Sequence, residues 1–240
     1  MISFVVPAYN EEQHIRRTLE SIHESARATG EPYEIIVADD ASSDRTHNIA
    51  AQSGARVISV QHRQIAATRN AGARAASGDV LFFVDADTSV SPGAVREALR
   101  VMRAGAVGGG SRVHFDGRFP LHFKALIWAS GALSRATRLA FGCFLFCRKD
   151  AFDAVAGFDE TLFASEELAL SRALKRRGGG RFLILRESVT TSGRKLRAHS
   201  AWEVWRALGS ATLHMLGIVR GRRGLEAWYG GRRRDPEAHA

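Results

Sequence analysis

Asp85 and Asp87 stand one residue apart at the end of the apolar run Val80-Leu81-Phe82-Phe83-Val84. Five apolar residues rich in β-branched and aromatic types read as a fully buried strand. Two carboxylates emerging together from such a strand raise each other's pKa and destabilise the site unless something offsets their charge. A divalent cation does so: Mg²⁺ and Mn²⁺ prefer carboxylate oxygens and usually carry substrate phosphates as co-ligands. A turn in which aspartate caps a helix beginning near Pro92 explains the same residues without chemistry. The tripeptide alone leaves both readings open.

Two further acidic groups resemble this one in placement. Ile2 to Val6 reads as a strand stopped by Pro7, followed by Ala8-Tyr9-Asn10-Glu11-Glu12. Tyr33 to Ala38 reads as a second buried strand, ending in Asp39-Asp40. Between these strands, Ile15, Leu19 and Ile22 mark one face of a helix to about Ala28. Ser42-Ser43-Asp44 offers cap chemistry for a helix from Arg45 to Ser53, Arg56 to Val60 is a third short strand, and Ala66 to Ala76 is an Ala-rich helix. This alternation predicts an α/β fold with a doubly wound, mainly parallel sheet. Ligands bind such sheets beyond the carboxyl ends of the strands, where the three acidic groups fall.

The second half is less regular. A helix is expected from Pro92 to Arg103, with Val95, Leu99 and Met102 on one face. Gly108-Gly109-Gly110-Ser111 reads as backbone that turns sharply or approaches a ligand. Helices follow over His122–Leu139 and Asp150–Ala156, and one from about Ser165 to Arg177 opens with Glu166-Glu167. Acidic residues in a first turn are favoured by the helix dipole alone, so this pair has a purely structural explanation as well. Phe141 to Cys147 and Phe182 to Leu185 are expected strands, and Thr190-Thr191-Ser192-Gly193 a loop leading to Arg194-Lys195.

Several classes are excluded. No G-x-G-x-x-G follows the first strand, no G-x-x-x-x-G-K-S/T occurs, and no G-x-S-x-G is present, which argues against dinucleotide oxidoreductases, P-loop NTPases and serine hydrolases of the nucleophile-elbow type. Two cysteines, Cys143 and Cys147, are too few for a disulfide framework, and with an N-terminus that lacks a signal-peptide pattern they point to the cytoplasm. The net charge of +9 comes largely from late clusters, including Arg220 to Arg223 and Arg232-Arg233-Arg234. These suit an anionic membrane surface, nucleic acid or phosphorylated substrates. No nucleic-acid-binding module accompanies them, so a nucleic-acid partner is not expected.

In order, Val5-Val6-Pro7-Ala8-Tyr9-Asn10-Glu11-Glu12, Asp39-Asp40-Ala41-Ser42-Ser43-Asp44, Arg69-Asn70-Ala71-Gly72, Asp85-Ala86-Asp87 and Gly157-Phe158-Asp159-Glu160 with Glu166-Glu167 resemble the family 2 glycosyltransferases of the GT-A fold. The resemblance covers residues 5 to about 197. It implies inverting transfer of one sugar from a nucleoside diphosphate sugar (UDP- or GDP-linked) to an acceptor hydroxyl, on a glycan or a lipid-linked carrier. It implies a nucleotide pocket lined by Pro7, Tyr9 and Glu11, with Asp39 or Asp40 at the base or ribose. Asp87 is then the more direct metal ligand, with Asp85 nearer the ribose. Arg194 and Lys195 lie by the diphosphate, and Arg69 near the donor or, equally, a surface helix charge. The family's Glu-Asp pair is Glu166-Glu167 here, which makes Glu167 the expected base ahead of Glu166 and Asp159. The donor half is expected over 1–110, the acceptor half over 111–198, and an amphipathic helix with a basic tail over 199–240. That tail suits a peripheral membrane contact, packing on the domain, or a homodimer. A nucleotidyltransferase and a sugar-nucleotide-binding protein without turnover are the alternative readings.

Overall fold

The structure, a computed structural model, describes residues 1–194 apart from 118, 141 and 178. Its elements are β1 (Ile2–Ala8), α1 (Ile15–Arg27), β2 (Tyr33–Asp40), α2 (Thr46–Gln52), β3 (Arg56–Val60), α3 (Ile65–Ala75), β4 (Val80–Val84) and β5 (Thr88–Ser89). They continue with α4 (Pro92–Arg103), β6 (Ala106–Phe115), α5 (Leu121–Thr137), β7 (Phe144–Arg148), α6 (Lys149–Ala154), α7 (Glu166–Arg177) and β8 (Arg181–Thr191).

All strands join one eight-stranded sheet in the order β3-β2-β1-β4-β7-β6-β8-β5. β1, β2, β3 and β4 run parallel, as do β6 and β8, whereas β7 is antiparallel to both its neighbours and β5 to β8. The two expected halves thus share one sheet and meet within β6.

Period-2 alternation divides each central strand between two cores. Phe4, Val6, Phe82 and Val84 face α1 and α4, where Ile15, Leu19, Ile22, Val95 and Leu99 close the layer. Val5, Ile36, Leu81 and Phe83 face α3, α6 and α7, meeting Ala73, Phe152, Phe158 and Leu170. Phe82 is ringed by Phe4, Phe144 and Phe146 with centroids 5.0–5.7 Å away. On the opposite face Phe83 meets Phe158 edge-on at 4.9 Å. Aromatic burial of this kind stabilises beyond area alone.

Local chemistry sets the helix starts. Ser91 Oγ accepts the Ala94 N–H at 3.1 Å with Pro92 in the first turn, and Gln64 Oε1 accepts the Ala67 N–H at 3.2 Å. Asp44 Oδ1 takes the Thr46 N–H at 2.9 Å at the start of α2.

Three local expectations change. Pro7 lies inside β1 rather than ending it; pairing with β4 stops at Val5, so an imide there interrupts no ladder on that side. Gly108 to Gly110 make neither a turn nor a ligand cradle: they are mid-strand in β6. A Cβ on Gly109 would lie 2.2 Å from the Leu183 carbonyl and 2.6 Å from the Phe146 ring, so strand and ring packing exclude a side chain there. Thr190 and Thr191 are strand, not loop, pairing with Ser89 and Thr88.

Candidate active site

The C-terminal ends of β1, β2 and β4 all open onto one edge of the sheet, the placement expected for a ligand site in an open α/β fold. Four non-glycine residues with left-handed backbone lie in the segments at this edge: Asn10 (φ 53°) after β1, Ala41 (φ 56°) after β2, Arg63 (φ 51°) before α3 and Ser165 (φ 64°) before α7. Such strain persists only where surrounding contacts hold it, and it concentrates at functional sites.

Arg69 is the hub. It is fully buried on α3, not a surface charge. Its Nη2 donates to Asp85 Oδ1 at 2.8 Å, and its Nη1 donates to Glu166 Oε1 at 3.0 Å and Glu167 Oε1 at 2.9 Å. Its Nε is buried with no hydrogen-bond partner among the described residues. Burial works against its charge, but Glu167, Asp85 and Glu166 outweigh it and hold the guanidinium firmly protonated. Burial, then the neighbouring Glu167, pushes the Glu166 carboxyl up to about 8 against the opposing pull of Arg69. Glu167 is the more open of the pair, its side chain 14% exposed against 5% for Glu166.

A second buried cation sits 125 residues downstream in sequence. Arg194 Nη2 donates to both carboxylate oxygens of Glu11 and to Asp87 Oδ2 at 3.2 Å. Burial again opposes the charge, and Glu11 and Asp87 raise the pKa in spite of it. Asp87 Oδ1 accepts from Thr191 Oγ1 at 3.2 Å. Asp85, Asp87, Glu11, Glu166 and Glu167 therefore face two guanidiniums, and with every carboxylate ionised three negative charges stay uncompensated.

The remaining expected residues fall around this centre. Pro7 is buried in β1, and the Arg63 guanidinium lies 3.9 Å over the Tyr9 ring. The two aspartates ending β2 diverge. Asp40 accepts from the His62 and Arg63 N–H groups and from Thr68 Oγ1 at 2.6–2.9 Å, which spends it on holding the 61–64 loop to α3. Asp39 makes longer contacts, to the Ser42 N–H at 3.2 Å and to His47 Nδ1 at 3.3 Å. Asp159 is not brought into the cluster: it is exposed and caps Thr161 N–H and Oγ1. Lys195 and the 199–240 tail lie outside the described residues. Among the described residues no helix is long and apolar enough to cross a membrane.

Asn70 and Gln64 are site-shaping residues that the pattern alone did not single out for that role. Asn70 exchanges two hydrogen bonds of 2.9 Å with the Phe158 backbone and donates to Glu160 Oε1 at 2.8 Å. Gln64 Nε2 donates to the Glu160 and Leu162 carbonyls. With Arg69, they tie α3 to the whole segment that leads into α7.

The family profile of glycosyl transferase family 2 matches residues 3–154, well over half the chain. The chain belongs to glycosyl transferase family 2. Within this glycosyltransferase family it is 33% identical over 115 residues to an undecaprenyl-phosphate 4-deoxy-4-formamido-L-arabinose transferase of Serratia proteamaculans, an alignment covering 43% of this chain and 34% of the relative. The match thus spans about a third of that protein's length. Solved structures share the GT-A fold. A mannosyltransferase of Pyrobaculum calidifontis in complex with GDP-Man and Mn²⁺ superimposes with a TM-score of 0.66 at 18% identity, over 90% of this chain and 63% of the other. Glucosyl-3-phosphoglycerate synthase of Mycobacterium tuberculosis, in complex with Mn²⁺, UDP and glucosyl-3-phosphoglycerate, gives 0.61 at 20% identity, over 91% of this chain and 79% of the other.

Proposed function

We propose that this glycosyltransferase moves one sugar, with inversion, from a UDP- or GDP-linked donor to an acceptor hydroxyl, on a lipid-linked carrier or a cell-envelope glycan. The observation that carries this reading is the bridge from Asp85 through Arg69 to Glu166 and Glu167. It joins the end of β4, where a donor diphosphate would bind, to the start of α7, where a base would meet the acceptor.

Asp87, and secondarily Asp85, fit a divalent cation. Their oxygens are hard donors, the cleft has excess negative charge, and among the described residues the Asp87 carboxylate is held by two contacts of 3.2 Å that a stronger ligand can displace. Among the described residues no group of three metal-ligating side chains occurs, which suits Mg²⁺ or Mn²⁺ held by one or two carboxylates with substrate phosphates completing the shell. When bound, such an ion supplies Lewis acidity to the departing diphosphate.

Within this reading Pro7, Tyr9 and Glu11 line the nucleotide pocket. Asp39, rather than the fully engaged Asp40, is the aspartate left to meet the base or ribose. Arg194 would turn from the carboxylates toward the diphosphate once a donor enters, and Lys195, next in sequence, is proposed to add a second cation for it. Glu167 acts as base: Arg69 fixes Oε1, and Oε2 accepts no hydrogen bond among the described residues, so it can take the acceptor proton. Glu166 keeps Arg69 in place. The dipole of α7 favours both carboxylates in its first turn, so the helix start supports the chemistry instead of competing with it.

Thermal-shift measurements with UDP, GDP and their sugar derivatives, with and without Mn²⁺, test this. A ligand that binds only the folded state raises the melting temperature by mass action. Stabilisation by one nucleotide that needs metal and disappears in Asp87→Ala is the expected result. No response to any nucleotide would refute the donor assignment, and a response without turnover would favour a binding protein.

A further inference from the structure

Only two large hydrophobic side chains among the described residues are exposed: Met1 at 43% and Trp128 at 72%. Trp128 is on α5. Arg135 follows it by seven residues, two helical turns on the same face. The space a Cβ on Gly131 would occupy lies 3.9 Å from Arg135 Nη1, so this guanidinium folds back along the strip toward Trp128. The strip continues past the end of the helix. Arg138 is exposed in a left-handed C-cap, and Lys175 Nζ donates to the Thr137 carbonyl at 2.8 Å. That contact brings the basic end of α7, with exposed Arg176 and Arg177, against the end of α5.

We infer that this strip is a docking surface for an anionic lipid bilayer, with Trp128 as the interfacial anchor and Arg135, Arg138, Lys175, Arg176 and Arg177 as the charge complement. An indole is favoured at the membrane–water boundary, where its ring is buried in the headgroup region and its N–H stays solvated. Each basic residue near a negatively charged bilayer adds about 1 kcal/mol of attraction, screened within a Debye length. No carboxylate among the described residues pairs with any of the five. A soluble acidic protein would find the same charges, but a single indole on a convex helix offers no pocket for it. The inference goes beyond the donor-site reading and does not depend on it, because membrane binding is read without sugar transfer.

Flotation of the full chain with vesicles of phosphatidylcholine, alone or mixed with phosphatidylglycerol, tests it. Binding is expected only to the anionic vesicles and is weakened by salt. Arg135→Glu with Arg138→Glu should lower the partition at least about tenfold, and Trp128→Ser should lower it while leaving the thermal transition unchanged. A variant with Trp202, Trp205 and Trp228 changed to Phe keeps Trp128 as its sole indole, and its emission should shift to the blue when anionic vesicles are added. Unshifted emission, or full binding by Trp128→Ser, overturns the assignment. Binding lost only when Arg232, Arg233 and Arg234 are changed to Ser moves the contact to the tail and overturns it too. Self-association that Trp128→Ser abolishes, without vesicle binding, makes the partner a second copy instead.

Discussion

Arg69 shows how one side chain can organise a site. A buried guanidinium facing three carboxylates gains from each, and removing it leaves buried charges without a partner, a loss of about 3–5 kcal/mol. Arg69→Met should therefore lower the urea midpoint by that equivalent, and Arg69→Lys should recover only part. An ammonium restores the charge, but it is a point donor that cannot span Asp85 and both glutamates as the planar fork does. Glu166 makes a second prediction at this scale. In the fold it keeps its proton to about pH 8, against an ordinary glutamate value of 4.5. Between these values the native state binds the extra proton, so this residue's contribution to stability falls as pH rises. Glu166→Gln removes that dependence. Calorimetry from acid to mildly alkaline pH should find the variant's melting temperature closest to wild type near pH 4 and above it by a few degrees near pH 8. A constant offset at all pH values would mean that Glu166 is ionised throughout.

At the scale of elements, α3 connects the C-terminal edge of the parallel strands to the segment that leads into α7. Thr68 reaches back to Asp40, Arg69 to β4 and α7, and Asn70 to the Gly157-Phe158-Asp159-Glu160 turn. Gly72 lets the helix sit close on β1, since a Cβ there would fall 2.3 Å from Val5 Cγ1. Asn70→Ala should cost about 1–3 kcal/mol, because the Phe158 N–H and C=O are left buried without partners. Hydrogen exchange at Phe158 should speed up more than exchange in β1; uniform acceleration would show that the turn has no separate dependence on Asn70. The same helix shows what a sequence can and cannot tell. Its extent, and those of β2, β3, β4 and α4, follow from local periodicity and turn residues. The burial of Arg69 does not, because its glutamate partners lie 97 and 98 residues away and an Ala-rich helix with scattered arginines looks solvated. That the acidic residues following β1, β2 and β4 share one edge of the sheet could be read from the sequence, because strand–helix alternation fixes which ends align. The division of labour between Asp39 and Asp40 could not, since the 61–64 loop that occupies Asp40 carries no pattern of its own. Gly108 to Gly110 misled for a related reason: glycine signals a turn locally, whereas here it answers to Leu183 and Phe146 on neighbouring strands.

At the scale of the whole molecule, β7 is the antiparallel strand that fastens β6 to the parallel half, and both cysteines are in or just before it. Cys143 and Cys147 are buried free thiols. Burial first, then nearby Asp85 and Asp87, pushes Cys143 up to about 12; burial and the carboxylates of Asp153 and Asp150 raise Cys147 as well. A thiol reacts as its thiolate, so neither should be modified in the native fold at neutral or mildly alkaline pH. The Cys143 carbonyl also accepts the Asp85 N–H at 3.0 Å, which ties this strand's entry to the 85–87 loop. Reaction with a thiol reagent therefore requires the centre of the sheet to open, and its rate reports that opening instead of local exposure. Native protein should react with neither cysteine over times in which the denatured chain reacts with both. A nucleoside diphosphate with Mn²⁺ should slow the residual reaction by the factor its binding adds to stability, and Asp87→Ala should abolish that protection without exposing the thiols. Rapid reaction of Cys143 alone in the native protein would instead show that the entry to β7 opens apart from the sheet, so that the 85–87 edge and the core are two cooperative units rather than one.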